Sequence, residues 1–469
     1  MSYDQVTGGG SSLIMYRQTD RTSIASDSGV LVRFTTESFG SDPNKQTSAV
    51  ISGKRGAGKP RRGMPQNTGG FVMEMNPYLI GEVLRNTCGA PTTSAQAAKA
   101  CSAAAAVDKG DGYVGIPCPA HGYVQDEAVC ILGTTNYDGN YLVEAGSSTD
   151  EVVIFAPYVA ETLTTGATVQ RGRAAYLSGA VTNEGSGKVG LPVAATGHTV
   201  GKGDTITVDG TTNYDGTYTV VSVSPRKIVI TDTYVAETLD GTPVVTCAFY
   251  KHSFPLPEKQ PWCAFEKVLG YDDGAADYPV RRAARCKING LSTSVGEDGE
   301  ALLTVDVTVQ AVTGVAEQLD AAPQEFSSFA FEQKEASFWL NGTRRGDVQT
   351  GNQQMNFAIE MKSAVGDRGQ YSRSSEGDPD CSCTQTVFVE TDDLQQLADA
   401  DITVEHVTMW AAAAGDVLRI TYPEAQLNAK EPTIGGKTGL TQEITVMPFV
   451  DSAASVVTYE IINRTASYA

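Results

Sequence analysis

The sequence has little positive charge, few histidines and no long apolar run. Its 469 residues include 35 Lys and Arg against 55 Asp and Glu, a net charge of −20 before histidine is counted. Affinity for nucleic-acid phosphates comes mainly from Lys and Arg, so this deficit argues against a protein that grips DNA or RNA over most of its surface. No run of about 18 apolar residues is present and the first residues are polar, so neither a transmembrane span nor a cleaved signal peptide is predicted.

The composition is that of a folded, mostly β protein. The chain holds 48 Gly, 20 Pro and 19 Tyr, and 41% of its residues are hydrophobic. Thr, Val and Tyr favour strands, whereas Gly and Pro favour tight turns. The hydrophobic content is enough for a large core, and the length predicts two to four domains.

The cysteines and histidines do not form a recognisable framework. An odd number of cysteines at irregular spacing argues against a secreted disulfide scaffold, and free thiols in a reducing compartment are expected instead. Cys381 and Cys383 could form half of a metal site, but no second CxxC-like pair and only four histidines accompany them. No metal site is therefore predicted. The nine cysteines are Cys88, Cys101, Cys118, Cys130, Cys247, Cys263, Cys286, Cys381 and Cys383.

An internal duplication divides the chain. The hexapeptide TTNYDG at 134–139 recurs at 211–216, and YVAETL at 158–163 recurs at 234–239, so the offsets are 77 and 76. Two identical hexapeptides in the same order indicate a duplicated module. Period-two strand patterns around an Asp-Gly turn predict that each copy is a small all-β unit.

The duplication sets the predicted domain boundaries. Repeat 1 is placed at 112–174 and repeat 2 at 188–250, with linkers at 96–111 and 175–187. The alanine-rich first linker could be a short helix or an ordered tether. The flanks, 1–95 and 251–469, are expected to form one interrupted domain.

The flanking segments predict strands, one main helix and a long polar loop. Asn76 is a plausible N-cap and Pro77 a first helical residue, so a helix is expected over 76–87, with a second, short one at 393–398. Residues 41–69 form the polar loop, and a loop of this length in a compact domain is usually functional or disordered. The predicted strands are 30–35, 70–75, 263–269, 285–291, 301–311, 336–342, 354–362, 401–410, 416–422, 439–448 and 455–462. The loop is rich in cations, namely Lys45, Lys54, Arg55, Lys59, Arg61 and Arg62.

No residues assemble into a catalytic or cofactor motif. The glycine-rich stretches at 53–59 and 110–115 do not lead into a helix, which a phosphate-binding loop requires. The acids at 297–300 and 376–380 are too loosely spaced for a calcium loop without further oxygens. No nucleophile, base and orienting partner occur together, so neither an enzyme nor a cofactor is predicted.

In order along the chain, these elements resemble a bacteriophage tail tube (major tail) protein of the long-tailed type. The resemblance is carried by the strand at 30, the loop with Ser-Gly-Lys-Arg at 52–55, the strand at 70 and the helix at 77–84. Phe-Glu-Lys at 265–267, Cys-Lys-Ile-Asn-Gly at 286–290 and Ser-Phe-Trp-Leu-Asn-Gly at 337–342 continue it. It covers 1–95 and 255–469. It implies a tail-tube-like β-sandwich or barrel with one flanking helix.

The resemblance also implies a function. Such proteins form hexameric rings that stack into a hollow tube through which genome DNA leaves the capsid. The basic loop would contact the neighbouring ring, and the inserted repeats would decorate the outside. Partners would be further copies of the chain, the tape measure protein, and the tail terminator and distal tail proteins. The protein would be a virion component assembled in the bacterial cytoplasm. DNA would pass through its lumen unbound, and the protein would not associate with a membrane.

The net negative charge is consistent with a conduit for DNA, but the repeats allow one alternative function. The stretch 112–250 has a net charge of −8, which leaves −12 on the flanks, and an acidic lumen would repel DNA. Alternatively, the chain is a cell-surface or carbohydrate-binding adhesin whose repeats stack rings on sugars. The aromatic residues for that role are Tyr137, Tyr141, Tyr214 and Tyr218.

Overall fold

The computed structural model describes residues 11–48, 58–270, 280–296, 298–326, 329–364, 371–432, 439–453 and 455–468. Strands make up 53% and helices 5%, which confirms the predicted mainly-β class. The described part of the chain divides into two compact units, and residues 409–419 and 460–469 group with the inserted segment rather than with the flanks. Unit 1 is 1–91, 254–408 and 420–459, and unit 2 is 92–253, 409–419 and 460–469.

Eight strands and the main helix precede the insertion. In the helix α1 (Pro77–Cys88), the Asn76 side chain accepts hydrogen bonds from the N–H groups of Tyr78 and Leu79, as the sequence predicted. Gly89, at φ 87°, ends the helix. The strands are β1 (Ser12–Arg17), β2 (Val30–Val32), β3 (Thr36–Glu37), β4 (Gly40–Asp42), β5 (Lys45–Ser48), β6 (Gly58–Arg62), β7 (Gln66–Thr68) and β8 (Gly70–Glu74).

The inserted segment contains sixteen short strands. They are β9 (Thr92–Gln96), β10 (Lys99–Ala100), β11 (Val107–Gly110), β12 (Tyr113–Pro117), β13 (Ala128–Leu132), β14 (Gly139–Leu142), β15 (Glu151–Phe155), β16 (Thr168–Arg171), β17 (Ala175–Ala180), β18 (Thr182–Gly185), β19 (Lys188–Pro192), β20 (Thr205–Asp209), β21 (Gly216–Thr219), β22 (Ser222–Ser224), β23 (Lys227–Thr231) and β24 (Thr238–Cys247).

Each repeat has two sheets, and their strand orders are equivalent except that repeat 2 adds β22. In repeat 1 the sheets are β10-β16-β13-β14 and β11-β12-β15, and in repeat 2 they are β17-β24-β20-β21 and β18-β19-β23-β22. Alternate residues of the strands point inward, and each repeat has its own apolar core. The segments predicted as linkers, 96–111 and 175–187, are not linkers. They contain β10, β11, β17 and β18, so repeat 1 spans 99–171 and repeat 2 spans 175–247.

The second flank supplies the longest strands of unit 1. The same flank contains a short 3-10 turn (Gln333–Glu335) and the helix α2 (Asp393–Asp399), which confirms the predicted second helix. The strands are β25 (Phe249–Pro255), β26 (Cys263–Val268), β27 (Val280–Val295), β28 (Leu302–Val315), β29 (Ala336–Leu340), β30 (Thr343–Arg345), β31 (Val348–Asn356), β32 (Glu360–Lys362), β33 (Arg373–Ser375), β34 (Asp380–Phe388), β35 (Val404–Ala411), β36 (Val417–Ala429), β37 (Thr441–Pro448) and β38 (Thr458–Asn463).

The hairpin β27–β28 organises the sheet of unit 1. One edge of β27 pairs with β28 along nearly its whole length. The other edge pairs first with β26 and then, beyond a bulge, with β31. From β26 the sheet continues to β1 and β2, and from β31 it continues to β34, β37 and β36. One long strand therefore serves two branches of the sheet.

A fully buried carboxylate stabilises the first branch. Glu266 of β26 is 0% exposed and accepts hydrogen bonds from the Tyr16 hydroxyl at 2.7 Å and the Leu319 N–H at 3.0 Å. The Arg282 guanidinium of β27 also pairs with it. A buried charge is tolerated only when it is paired and hydrogen-bonded in this way.

A buried histidine contacts the second branch. His406 of β35 is 2% exposed, and its Nε2 lies 2.7 Å from the Gln385 amide nitrogen of β34. Burial lowers the pKa of His406 to about 4. The imidazole is therefore neutral in the folded protein at neutral pH.

Candidate functional site

The described parts of the predicted basic loop form paired strands rather than irregular backbone. We name residues 40–48 and 58–68 the basic arm. Its base pairs β4 with β7, and its outer part pairs β5 with β6 in the register Lys45 to Arg62 and Gln46 to Arg61. Backbone ladders need no apolar side chains, so this polar sequence gave no strand signal.

Hydrogen bonds hold the base of the basic arm. The Thr68 hydroxyl donates to the Ser38 carbonyl at 2.9 Å, and the Asn67 amide donates to the Gln310 carbonyl of β28 at 2.8 Å. At the bend, Asn44 adopts φ 44°, a conformation that Asn tolerates better than most residues. The arm is therefore attached to the long hairpin of unit 1.

The basic arm presents cations to solvent. Lys45, Lys59 and Arg61 are exposed, and Asp42 is the only acid within the arm. The other cations predicted for this contact are Lys54 and Arg55, which lie outside the described residues, and Arg62, whose backbone pairs with Lys45. The structure thus brings Lys45, Lys59 and Arg61 together on one hairpin.

The two recurring hexapeptides bind each other within repeat 1. The Glu161 carboxylate accepts from the N–H groups of Thr135 at 2.6 Å and Asn136 at 2.9 Å, and from the Asn136 amide at 3.0 Å. The Tyr137 hydroxyl donates to the Val159 carbonyl at 2.5 Å and accepts from the Val159 N–H at 2.8 Å. We call this pair of segments the clasp.

Repeat 2 reproduces the clasp bond for bond. Glu237 accepts from the N–H groups of Thr212 at 2.6 Å and Asn213 at 3.1 Å. The Tyr214 hydroxyl donates to the Val235 carbonyl at 2.5 Å and accepts from the Val235 N–H at 2.7 Å. The identical hexapeptides therefore have a structural explanation, because each supplies the partners of the other.

The four tyrosines considered for sugar binding divide into two kinds. Tyr137 and Tyr214 are 1% and 0% exposed, so their rings offer no face to a ligand. Tyr141 and Tyr218 are half-buried beside the cores of their repeats. The Tyr218 hydroxyl donates to Asp232 at 2.8 Å. Burial is the larger cause and this hydrogen bond the second cause that raise the pKa of Tyr218 to about 12.

Sequence reasoning missed an arginine-paired acid at equivalent positions of the two repeats. Glu127 pairs with Arg171 of its own repeat at 2.8 Å, and both side chains are nearly inaccessible. In repeat 2, Asp204 stands at the position of Glu127, but Cys247 replaces the arginine. Arg464, from the C-terminal segment of the same unit, pairs with Asp204 at 2.8 Å instead. The 77-residue offset aligns the two acids and could have revealed them.

A second pair has its charges exchanged between the repeats. Lys109 and Glu151 form an ion pair at 2.6 Å across the smaller sheet of repeat 1. At the equivalent positions of repeat 2, Glu184 and Lys227 pair at 2.7 Å. The attraction is kept although both residues change sign.

No chemistry-bearing cluster appears among the described residues. They contain no group of three or more His, Cys, Asp or Glu side chains able to hold a metal ion. Glu376 pairs with buried Lys287, so its carboxylate is already engaged. Gly110 and Gly112 form the turn between β11 and β12, which is a hairpin and not a phosphate loop. Within the same residues, no helix is long and apolar enough to cross a membrane.

Comparison with known proteins identifies the family. No curated protein matches the chain at significant similarity. The family described as "Phage tail tube protein" matches residues 8–448, which include the insertion and nearly the whole chain. The resemblance drawn from the order of elements is therefore confirmed. The chain belongs to the phage tail tube protein family and is a structural component of a phage tail.

Proposed function

We propose that this chain assembles into hexameric rings that stack into the tail tube, a conduit for ejected DNA, with the basic arm joining successive rings. The observation that carries the ring contact is the arm itself, a paired hairpin with exposed Lys45, Lys59 and Arg61 in a chain of net charge −20. Such an arm is attracted to an acidic surface, and every other copy of this chain is acidic. A ring stacked on its own copy therefore supplies the complementary charge.

The energy of one exposed ion pair is small, but a ring repeats it. An exposed pair contributes about 0–1 kcal/mol and is weakened by salt. Three cations in each of six copies would make the contact cooperative, so stacking strength would depend steeply on ionic strength. The ladder β5–β6 restricts the arm before binding, which lowers the entropy lost when rings join.

The acidic flanks suit a channel for DNA. Their net charge of −12 repels phosphates, and a conduit must let its cargo move without binding it. In this proposal the tube is filled before ejection by a tape measure protein and is closed by tail terminator and distal tail proteins. Assembly takes place in the host cytoplasm.

We further propose that the repeats decorate the outer wall of the tube. Each repeat has two sheets around its own core, of 16 buried residues in repeat 1 and 15 in repeat 2. A module that buries its own apolar residues can be inserted without contributing to the core of the tube domain. The full burial of Tyr137 and Tyr214 weakens the case for a sugar-binding adhesin, because only Tyr141 and Tyr218 could then contact a ligand.

Charge reversal of the basic arm tests the ring contact. Lys59→Glu with Arg61→Glu is expected to abolish tubes in negative-stain electron microscopy while circular dichroism stays that of the unmodified protein. The matched control is Lys188→Glu with Lys202→Glu in repeat 2, which changes net charge equally at exposed positions. Control tubes of normal length are expected.

Two outcomes contradict the proposal. If the arm variant forms tubes of normal length at low and high salt, the arm does not join the rings. If arm and control variants lose tubes equally, total charge and not the arm governs assembly. A ring with a number of subunits other than six would refute the hexamer independently of the arm.

A further inference from the structure

Two thiols meet inside repeat 1. Cys101 directly follows β10 and Cys118 directly follows β12, so each comes from a different sheet of the repeat. They are 3% and 0% exposed and belong to the same apolar core. The Cys118 thiol lies 3.9 Å from the carbonyl oxygens of Lys99 and Ala100, the two residues directly before Cys101. The two cysteines are therefore neighbours in this core.

The backbone around this pair has the geometry of a narrow antiparallel pair. The Ser102 N–H donates to the Pro117 carbonyl at 3.1 Å, which is one of the two hydrogen bonds that flank such a pair. The second bond would need an N–H at residue 119, which is proline. In narrow pairs the Cα atoms lie about 4.5 Å apart, within the range of about 4.4–6.8 Å found in disulfides.

Repeat 2 shows the same pair with apolar side chains. Leu177 and Val193, at the positions of Cys101 and Cys118, form an antiparallel bridge. There the flanking N–H of Ala194 donates to the Tyr176 carbonyl at 2.8 Å. The module therefore folds without sulfur at this point.

We propose that Cys101 and Cys118 form an intramolecular disulfide when the protein meets an oxidising small disulfide. The thiolate of Cys101 attacks the small disulfide, forms a mixed disulfide and releases one thiol. Cys118 then loses its proton and attacks the Cys101 sulfur, releasing the second thiol. Two protein thiols and one small disulfide thus give one protein disulfide and two small thiols, with two electrons passing to the oxidant.

Accessibility favours this order of attack. The proximity of the two thiols lowers the pKa of Cys101 and raises the pKa of Cys118. Cys101 is also the slightly more exposed of the two. The nucleophile is therefore the sulfur that the small disulfide reaches first.

A second pair of cysteines provides an internal control. Cys263 and Cys286 lie opposite each other on β26 and β27, and both are 0% exposed. The Cys263 thiol donates to the Cys286 backbone carbonyl at 3.5 Å, and burial raises the pKa of both thiols. This pair is expected to stay reduced while the chain is folded.

The test uses the full-length chain, oxidised glutathione as the probe, and tryptic digestion without reduction. Cleavage at Lys99, Lys109 and Arg171 places the two cysteines on separate peptides, 100–109 and 110–171. Cys130 lies on the second peptide, so the Cys130→Ser variant removes the ambiguity. The linked peptides, lighter by two hydrogens, are expected after hours of incubation, with the unfolding midpoint of repeat 1 raised by about 10–20 °C.

The control variant grafts the apolar pair of repeat 2. Cys101→Leu with Cys118→Val is expected to fold and to show the same unfolding midpoint with or without the oxidant. Full alkylation of Cys101 and Cys118 after the incubation, or glutathione retained on Cys101 without a link, would overturn the proposal. Equal linkage of Cys263 to Cys286 would also overturn it, because the reaction would then report an opened chain.

Discussion

Removal of one hydroxyl, Tyr214→Phe, tests whether the clasp holds repeat 2 together. The ring of Tyr214 is 0% exposed, and phenylalanine fills the same space, so the change removes only the two bonds to Val235. Each neutral hydrogen bond contributes about 1 kcal/mol. Because the Val235 side chain is 44% exposed, water can replace part of the loss. The expected cost to repeat 2 is about 1–2 kcal/mol.

Amide hydrogen exchange measures this loss where it occurs. A change of about 1–2 kcal/mol corresponds to an exchange rate about 5–30 times faster at the Val235 N–H. The Tyr137→Phe variant makes the same change in repeat 1 and is expected to accelerate exchange at Val159 alone. Each variant therefore serves as the control of the other.

Two results would refute this reasoning. Unchanged exchange at Val235 in Tyr214→Phe would show that the two hydrogen bonds do not restrain that segment. Equal acceleration at Val159 and Val235 in either variant would show that the repeats do not behave as separate units.

Two further predictions concern unit 1. Because the folded pKa of His406 is about 4, below its ordinary 6.5, folding favours the neutral ring, and this stability is complete above about pH 6.5 and is lost as pH falls towards 4. The full effect corresponds to about 3 kcal/mol of unfolding free energy. Urea unfolding at pH 7 and 4.5 is expected to show a loss of this free energy at the lower pH that the His406→Gln variant lacks. Equal pH dependence in both proteins would contradict the prediction. Glu266→Ala, which strands Arg282 and the Tyr16 hydroxyl, is expected to lower the free energy of unfolding by about 3–5 kcal/mol, and a loss below about 1 kcal/mol in the same assay would show that the network is not stabilising.

The sequence predicted those elements that carry strong local signals. The helix α1 was predicted because Asn76 and Pro77 mark its start and its apolar residues recur with helical spacing. The strand at 301–311 was predicted because apolar and polar residues alternate, and it is found as β28, Leu302–Val315. Both signals reside in side chains that the core selects.

Several strands that the sequence did not predict bury no apolar side chains. All four residues of β11 and of β18 are exposed, so no alternation marked them and they were assigned to linkers. The strands of the basic arm are also polar, so they too lack the alternation by which a strand is predicted. Edge strands are specified by the ladder they join, which the residues of one segment cannot show.

The candidate site shows the same division. The cations of the basic arm were visible because a run without acids is unusual in an acidic chain. The pairing of Asp204 with Arg464 was not visible, because 260 residues separate them. Long-range pairs of this kind depend on topology rather than on spacing.

The exchanged ion pairs bear on how two similar modules in one chain avoid misfolding into each other. Tandem homologous domains are prone to exchange strands during folding. If a strand of repeat 1 docked in the sheet of repeat 2, Lys109 would face Lys227, and in the reciprocal error Glu184 would face Glu151. The two residues of each pair lie on strands that flank a central strand, close enough to form an ion pair, so like charges at these positions would repel each other. With the reversed polarity, each strand would form an attractive ion pair in its own module and a repulsive pair in the neighbouring copy, which favours correct pairing.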